Sequence, residues 1–225
     1  MDGGNPKPVV GNPNTGLGCA KLNQVYSAQD TMSAYTLNPK FKGVAYRLAD
    51  NWLPYATPDP TKPIKYAEVG AFYGANMVSV AETYGRHPDS VLIAIDPWTD
   101  YSDYPEYKGE QMTIYDAFQR NMAACNLTER VTVKRGYSHD VLPTLEDNSF
   151  DIIYIDGNHE PEYVMEDAVL AFRKLKVGGR LIFDDYGWGG PDLTKRGIDG
   201  FLNGYHKRII LLGYRESQVF VQRKR

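Results

Sequence analysis

Cysteine is scarce. Two residues, Cys19 and Cys125, in 225 positions are too few for a disulfide framework, so they read as free thiols of a reducing compartment. No apolar run approaches the roughly 20 residues that a membrane-spanning helix needs, so no membrane partner is expected. No signal peptide precedes the regular part of the chain, which makes the cytoplasm the expected location. An excess of basic residues is missing too: 25 Lys and Arg against 28 Asp and Glu give a formal net charge of -3. That excludes a broad basic surface for nucleic acid, and Arg223, Lys224 and Arg225 read as a solvated tail. No internal repeat is present. With 42% hydrophobic and 24% charged residues, the chain reads as one globular domain with an appendage.

The appendage comes first. Residues 1–30 are rich in Gly, Pro and Asn and carry no sustained apolar period, which predicts a flexible arm. The alternative is an arm that orders over the substrate or against a second subunit of a homodimer. Val44, Leu48 and Trp52 repeat every four residues and Pro54 stops the pattern, so a helix is expected from Asn38 to Tyr55. Pro58, Pro60 and Pro63 form a stiff linker, and residues 31–63 are a helical cap with that linker.

From residue 64 to 225 strands and helices alternate. Strands are expected at Ile64–Gly70, Val91–Asp96, Val131–Gly136, Phe150–Asp156 and Leu181–Asp184, with helices between them. A weak helix from Lys195 to Tyr205 follows, and two antiparallel strands around Arg215–Ser217 close the chain. This pattern predicts an α/β fold: a doubly wound, seven-stranded sheet, mostly parallel, with an antiparallel C-terminal hairpin.

Acidic residues stand where the strands stop. Asp156 ends one strand, and Asp184 and Asp185 end the next. In a right-handed βαβ unit those ends meet at one rim, with His159 close by. Like charges brought together require a cation, a proton or a ligand to offset them. The first strand-to-helix turn, Glu68-Val-Gly-Ala-Phe-Tyr-Gly74, lacks the dinucleotide fingerprint because its middle glycine is replaced by Phe72. A cofactor without a pyrophosphate suits it better. Asp96, on the next strand end, can accept from both hydroxyls of a ribose.

These segments carry a resemblance. EVGAFYGANMVSVA, GYSHDVLPTL, YIDGNHEPEY and GGRLIFDDYG resemble, in order, the motifs of class I S-adenosylmethionine-dependent O-methyltransferases of the catechol and macrocin (sugar) types. The resemblance covers Ile64 to Gly187. It implies that Gly70, Gly74 and Asn76, with Glu68 of the same segment, lie along the methionine part of the cofactor. It implies Asp96 on the ribose and Ser138 and His139 on the adenine. It also implies Mg²⁺ or Mn²⁺ held by Asp156, Asp184 and Asp185. Asn158 stands where the catechol enzymes carry tryptophan.

His159 takes the place of the catechol enzymes' lysine base and suits proton transfer near neutral pH. A loop histidine ahead of a helix that Pro161 starts is the other reading. Trp98, Tyr101, Tyr104, Tyr107, Tyr186 and Trp188 are expected to wall the acceptor. A sugar hydroxyl, on a glycan or a glycosylated metabolite, is the first choice of acceptor, and a catechol-type phenol the second. A nucleotide-cofactor oxidoreductase and a non-catalytic cofactor-binding module remain as competing classes.

Overall fold

The structure is a computed structural model that describes residues 52, 54–56, 59, 61–100 and 107–225. The expected arm, most of the cap and linker, and Tyr101 and Tyr104 lie outside the described residues. Seven strands form one sheet in the order β3-β2-β1-β4-β5-β7-β6. They are β1 (Lys65–Val69), β2 (Val91–Asp96), β3 (Val131–Arg135), β4 (Phe150–Ile155), β5 (Leu175–Phe183), β6 (Ile209–Arg215) and β7 (Gln218–Arg223). The first five run parallel, and β7 is antiparallel to both β5 and β6. The order reverses at β1, which separates β2 from β4. In open α/β sheets a crevice forms at the strand ends beside such a switch point.

Successive strand residues face opposite sides, and both sides are covered. Tyr66, Leu92, Ala94, Ile152, Tyr154 and Phe220 pack in one core with α1 (Ala75–Glu82) and α2 (Gln111–Ala124). Ala67, Ile93, Ile153, Leu181 and Val221 pack in the other with α4 (Pro161–Lys174) and α5 (Thr194–Tyr205). A one-turn helix α3 (Ser138–Val141) closes the end of β3. Near the start of the described chain, Trp52 is fully buried in the first core, and the ring of Tyr55 stacks on Phe220 at 4.4 Å.

Two boundaries differ from expectation. The fifth strand starts at Leu175, not Leu181, so Gly178 and Gly179 lie inside it. The strand register shifts there, between Phe150 and Ile152 of its neighbour, and Gly178 has φ +86. The weak helix near residue 195 is a full α5 of 12 residues. Gly197 is why: a Cβ there would come within 2.6 Å of the Pro161 carbonyl oxygen, so its glycine lets α5 close on α4.

Candidate active site

Backbone hydrogen bonds tie the strand ends into a continuous rim. The N–H of Gly70 donates to the Ile95 carbonyl (2.9 Å), that of Asp156 to Val69 (2.9 Å), that of Asp184 to Ile155 (3.0 Å) and that of Gly136 to Asp96 (3.1 Å). The rim opens into a cleft of about 310 Å³. Asp96 and Ser138 lie on one side, with Phe72, Thr99, Tyr107 and Tyr137. On the other lie Asp156, Asn158, His159 and Asp185, with Gly70 between.

Gly70 has φ +83, and a Cβ on it would lie 1.7 Å from the carbonyl oxygen of Asp156. The glycine is required by the crossing of two loops. Gly74 faces away from the cleft. A Cβ on it would lie 2.6 Å from Met122 and 2.9 Å from Phe118 of α2, so helix packing requires a glycine here, and Gly74 is not among the residues that line the cleft.

Asp96 is buried, and both its oxygens are used. One accepts the N–H of Phe72 (2.8 Å) and the other that of Trp98 (2.7 Å). Both partners have left-handed backbones, φ 47 and φ 45, which cost a non-glycine residue about 1–2 kcal/mol. Loss of water pushes the Asp96 carboxyl above its usual range, and these backbone donors pull it back. The carboxylate is thus oriented by the chain and still borders the cleft, where its remaining lone pairs suit a diol.

Glu68 and Asn76 stand one layer below the cleft and do not line it. The Tyr66 hydroxyl and the Asn76 amide both donate to Glu68 Oε2, at 2.6 and 3.0 Å. Burial above all pushes the Glu68 carboxyl up to about 8. The Asn76 Oδ1 is buried with no hydrogen-bond partner among the described residues.

Across the cleft, Asp156, His159 and Asp185 each offer a donor atom, all within 4.8 Å of one another. His159 is 4% exposed. Its Nε2 lies 3.3 Å from Asp185 Oδ2, and its ring lies 4.5 Å from that of Trp188. It is not a solvent-facing loop residue. Withdrawal from water, then the charges of Asp184 and Asp185, hold the Asp156 carboxyl well above the usual carboxylate range. Such a group calls for a nearby positive charge: the two carboxylates suit a hard divalent ion, and the imidazole beside them suits proton transfer.

Asp184 is not brought into this cluster. Its Oδ2 receives the Tyr154 hydroxyl and its Oδ1 the backbone N–H of Asp185 (2.9 Å). The reason is the backbone: Asp185 turns into the left-handed region at φ 55, which ends the strand's alternation.

The expected aromatic wall is corrected at two positions. Trp98 is 1% exposed. It packs on Tyr115 and Phe118, and its indole N–H donates to the Phe72 carbonyl (2.9 Å). Tyr186 packs against Tyr214 and donates to Asp199 (2.9 Å). Tyr107 lines the cleft, and Trp188 stays at the rim through His159. Of the two residues expected to meet an adenine, Ser138 lines the cleft and His139 does not. The ring of His139 stacks on Tyr137 at 5.4 Å, and Tyr137 faces the cleft instead. Sequence reasoning does not single out Tyr137 or Thr99. Of the two, only the aromatic between Gly136 and Ser138 carries a signal, its place at a strand end.

A family model described as a methyltransferase domain matches residues 67–186. An uncharacterized protein of Acanthamoeba polyphaga mimivirus is 28% identical over 127 residues, 55% of this chain and 52% of its own length. The O-methyltransferase hkm8 of Aspergillus hancockii is 28% identical over 125 residues, 56% of this chain and 44% of its own. The chain spans about half the length of these curated relatives. Among solved structures, the O-methyltransferase TomG of Streptomyces achromogenes, involved in tomaymycin synthesis and solved with SAM, has a TM-score of 0.60 at 16% identity, covering 88% of this chain and 89% of its own. The O-methyltransferase NovP has a TM-score of 0.60 at 17% identity, covering 92% and 100%. At such identities the likeness shows the fold alone, that of class I methyltransferases.

Proposed function

Because the chain belongs to the methyltransferase-domain family, we propose that it is an S-adenosylmethionine-dependent, divalent-metal-assisted O-methyltransferase. The observation that carries this reading is the meeting of the oriented Asp96 with the Asp156–His159–Asp185 cluster in one cleft. When bound, the cofactor supplies an electrophilic methyl group and the cation lowers the pKa of the acceptor hydroxyl.

The chain's own residues do the rest. Asp96 holds the ribose with the lone pairs left by Phe72 and Trp98. Ser138 and Tyr137 border the adenine. Asp156 and Asp185 hold Mg²⁺ or Mn²⁺. His159 receives the proton of the acceptor, and Asp185, 3.3 Å from its Nε2, stabilises the imidazolium. Fixing the reacting atoms in line accounts for much of the acceleration.

The acceptor in this reading is a hydroxyl of a sugar, on a glycan or glycosylated metabolite, against the Trp188 side of the rim. A phenolic small molecule is a second reading. It is favoured by the loss of Trp98 and Tyr186 from the expected carbohydrate wall. Transfer of labelled methyl to a panel of sugars and phenols, with and without EDTA, separates these readings. Turnover undiminished in EDTA rejects the metal. No transfer to any acceptor, in spite of S-adenosylhomocysteine binding, favours a cofactor-binding module.

A further inference from the structure

Asp185 sits in the left-handed backbone region, which Asp tolerates better than most residues though still at a cost, and the chain holds it there from several sides. At φ 55 it is one of the described non-glycine residues in the left-handed region. Its carbonyl accepts the Thr194 hydroxyl (2.5 Å) and the N–H of Trp188 (2.8 Å). Its own N–H donates to Asp184 Oδ1 at 2.9 Å. A residue that must present a carboxylate from such a turn depends on those partners, because the turn is not its resting conformation.

The Asp184 contact continues inward. The Tyr154 hydroxyl donates to Asp184 Oδ2. Gln218 Nε2 donates to the Tyr154 oxygen (3.5 Å), and the indole N–H of Trp52 donates to Gln218 Oε1 (3.0 Å). Trp52, Tyr154 and Gln218 are fully buried. They come from three distant parts of the chain: the segment ahead of β1, strand β4 and strand β7. Every donor in the series points the same way, from Trp52 toward Asp184. Asp184 thus spends both oxygens on protein donors and stands outside the Asp156–His159–Asp185 cluster.

We infer that Trp52, Gln218, Tyr154 and Asp184 form a relay of positioning residues that holds Asp185 in its cation-binding conformation. The inference rests on the proposed metal role of Asp156 and Asp185. It assigns to Asp184 a task other than ligation, and it ties the segment ahead of the domain to the site. Outer partners of a metal-binding carboxylate typically change metal affinity by about 10–100-fold when removed.

Titrating Mn²⁺ alone into the full chain, by calorimetry, tests it without turnover. S-adenosylhomocysteine is titrated into the same proteins. Tyr154→Phe should weaken Mn²⁺ binding about tenfold, at the lower end of that range, and leave S-adenosylhomocysteine binding within about twofold, because the ribose and adenine contacts do not touch Tyr154. Gln218→Met, close in volume, removes the two amide contacts in the middle of the series. It should give a smaller loss in the same direction, and it serves if Tyr154→Phe does not fold. Unchanged Mn²⁺ affinity in the variants overturns the relay, as does an equal loss of both ligands, which would mark general collapse. A wild-type chain that binds S-adenosylhomocysteine but no Mn²⁺ overturns the metal reading itself, and the relay with it.

Discussion

Oδ2 of Asp96 accepts the backbone N–H of Phe72 at 2.8 Å, and so one carboxylate both shapes the first strand-to-helix turn and borders the cleft. Orientation of a ligand group by backbone donors is worth more than the charge alone, since the donors cost no reorganisation when the ligand arrives.

Asp96→Ala should therefore cost more than one ligand contact. It removes the ribose acceptor and leaves the N–H groups of Phe72 and Trp98 without their partner. Hydrogen bonds to charged groups contribute about 1.5–3 kcal/mol. S-adenosylhomocysteine affinity should fall by roughly 10–100-fold in calorimetry, with a lower melting temperature. Asp96→Asn, which keeps one acceptor, should lie between this variant and wild type.

Removal of cation charge partners is the second test. Asparagine tolerates the left-handed backbone better than most residues, so Asp185→Asn should keep its fold at φ 55. It should lose Mn²⁺ binding by at least about tenfold, as expected when a charged ligand becomes neutral. Its thermal melt should stay within a few degrees of wild type. A melt that collapses would assign Asp185 to stability rather than to the cation.

Glu68 makes stability depend on pH. Its folded carboxyl is pushed from 4.5 up to about 8, first by burial, against its hydrogen bonds from Tyr66 and Asn76, with Asp96 and Asp184 adding repulsion. Between those values the folded state keeps a proton that the unfolded state has lost. The contribution of Glu68 is thus full below about pH 4.5 and declines as pH rises through about 8. Glu68→Gln should flatten that part of the stability–pH curve, as read from urea midpoints across the range. An identical slope in the variant would remove Glu68 as its source.

The helix over 194–205 offers a matched pair. Gly197→Ala would push a methyl group to 2.6 Å from the Pro161 carbonyl, and overpacking of this kind costs about 1–3 kcal/mol. Gly200→Ala meets only the Met165 side chain, nearest at its sulfur (3.4 Å), and should stabilise by up to about 1 kcal/mol through helix propensity. Urea unfolding of the two variants should move in opposite directions.

Much of this site is legible in the sequence. Parallel strands buried on both faces show continuous apolar runs, and an acid directly after such a run has little choice but to reach the rim. Asp96 and Asp156 follow from that rule, and Ser138 from the motif after the third strand. The rule stops at the end of β5: once Asp185 turns left-handed, strand parity no longer says whether Asp184 or Asp185 faces the cleft. Aromatic residues escape it for a related reason. Trp98 and Tyr186 stand in the expected loops, yet a ring near a rim gains as much from packing on Phe118 or Tyr214 as from a ligand. Composition does not distinguish those destinations. Gly74 reads as room for a cofactor, and the packing of Met122 and Phe118 demands a glycine there in any case.

The crossing at Gly70 has a consequence for altering the acceptor range. The cofactor side and the cation side of the cleft share a contact in which not even one methyl group fits, 1.7 Å from the Asp156 carbonyl oxygen. Neither side can be shifted independently by substitutions at that seam. A directed-evolution library should keep residues 70 and 156 constant and place its diversity at Asn158 and Trp188. Those positions change the shape of the space without altering the spacing between donor and acceptor.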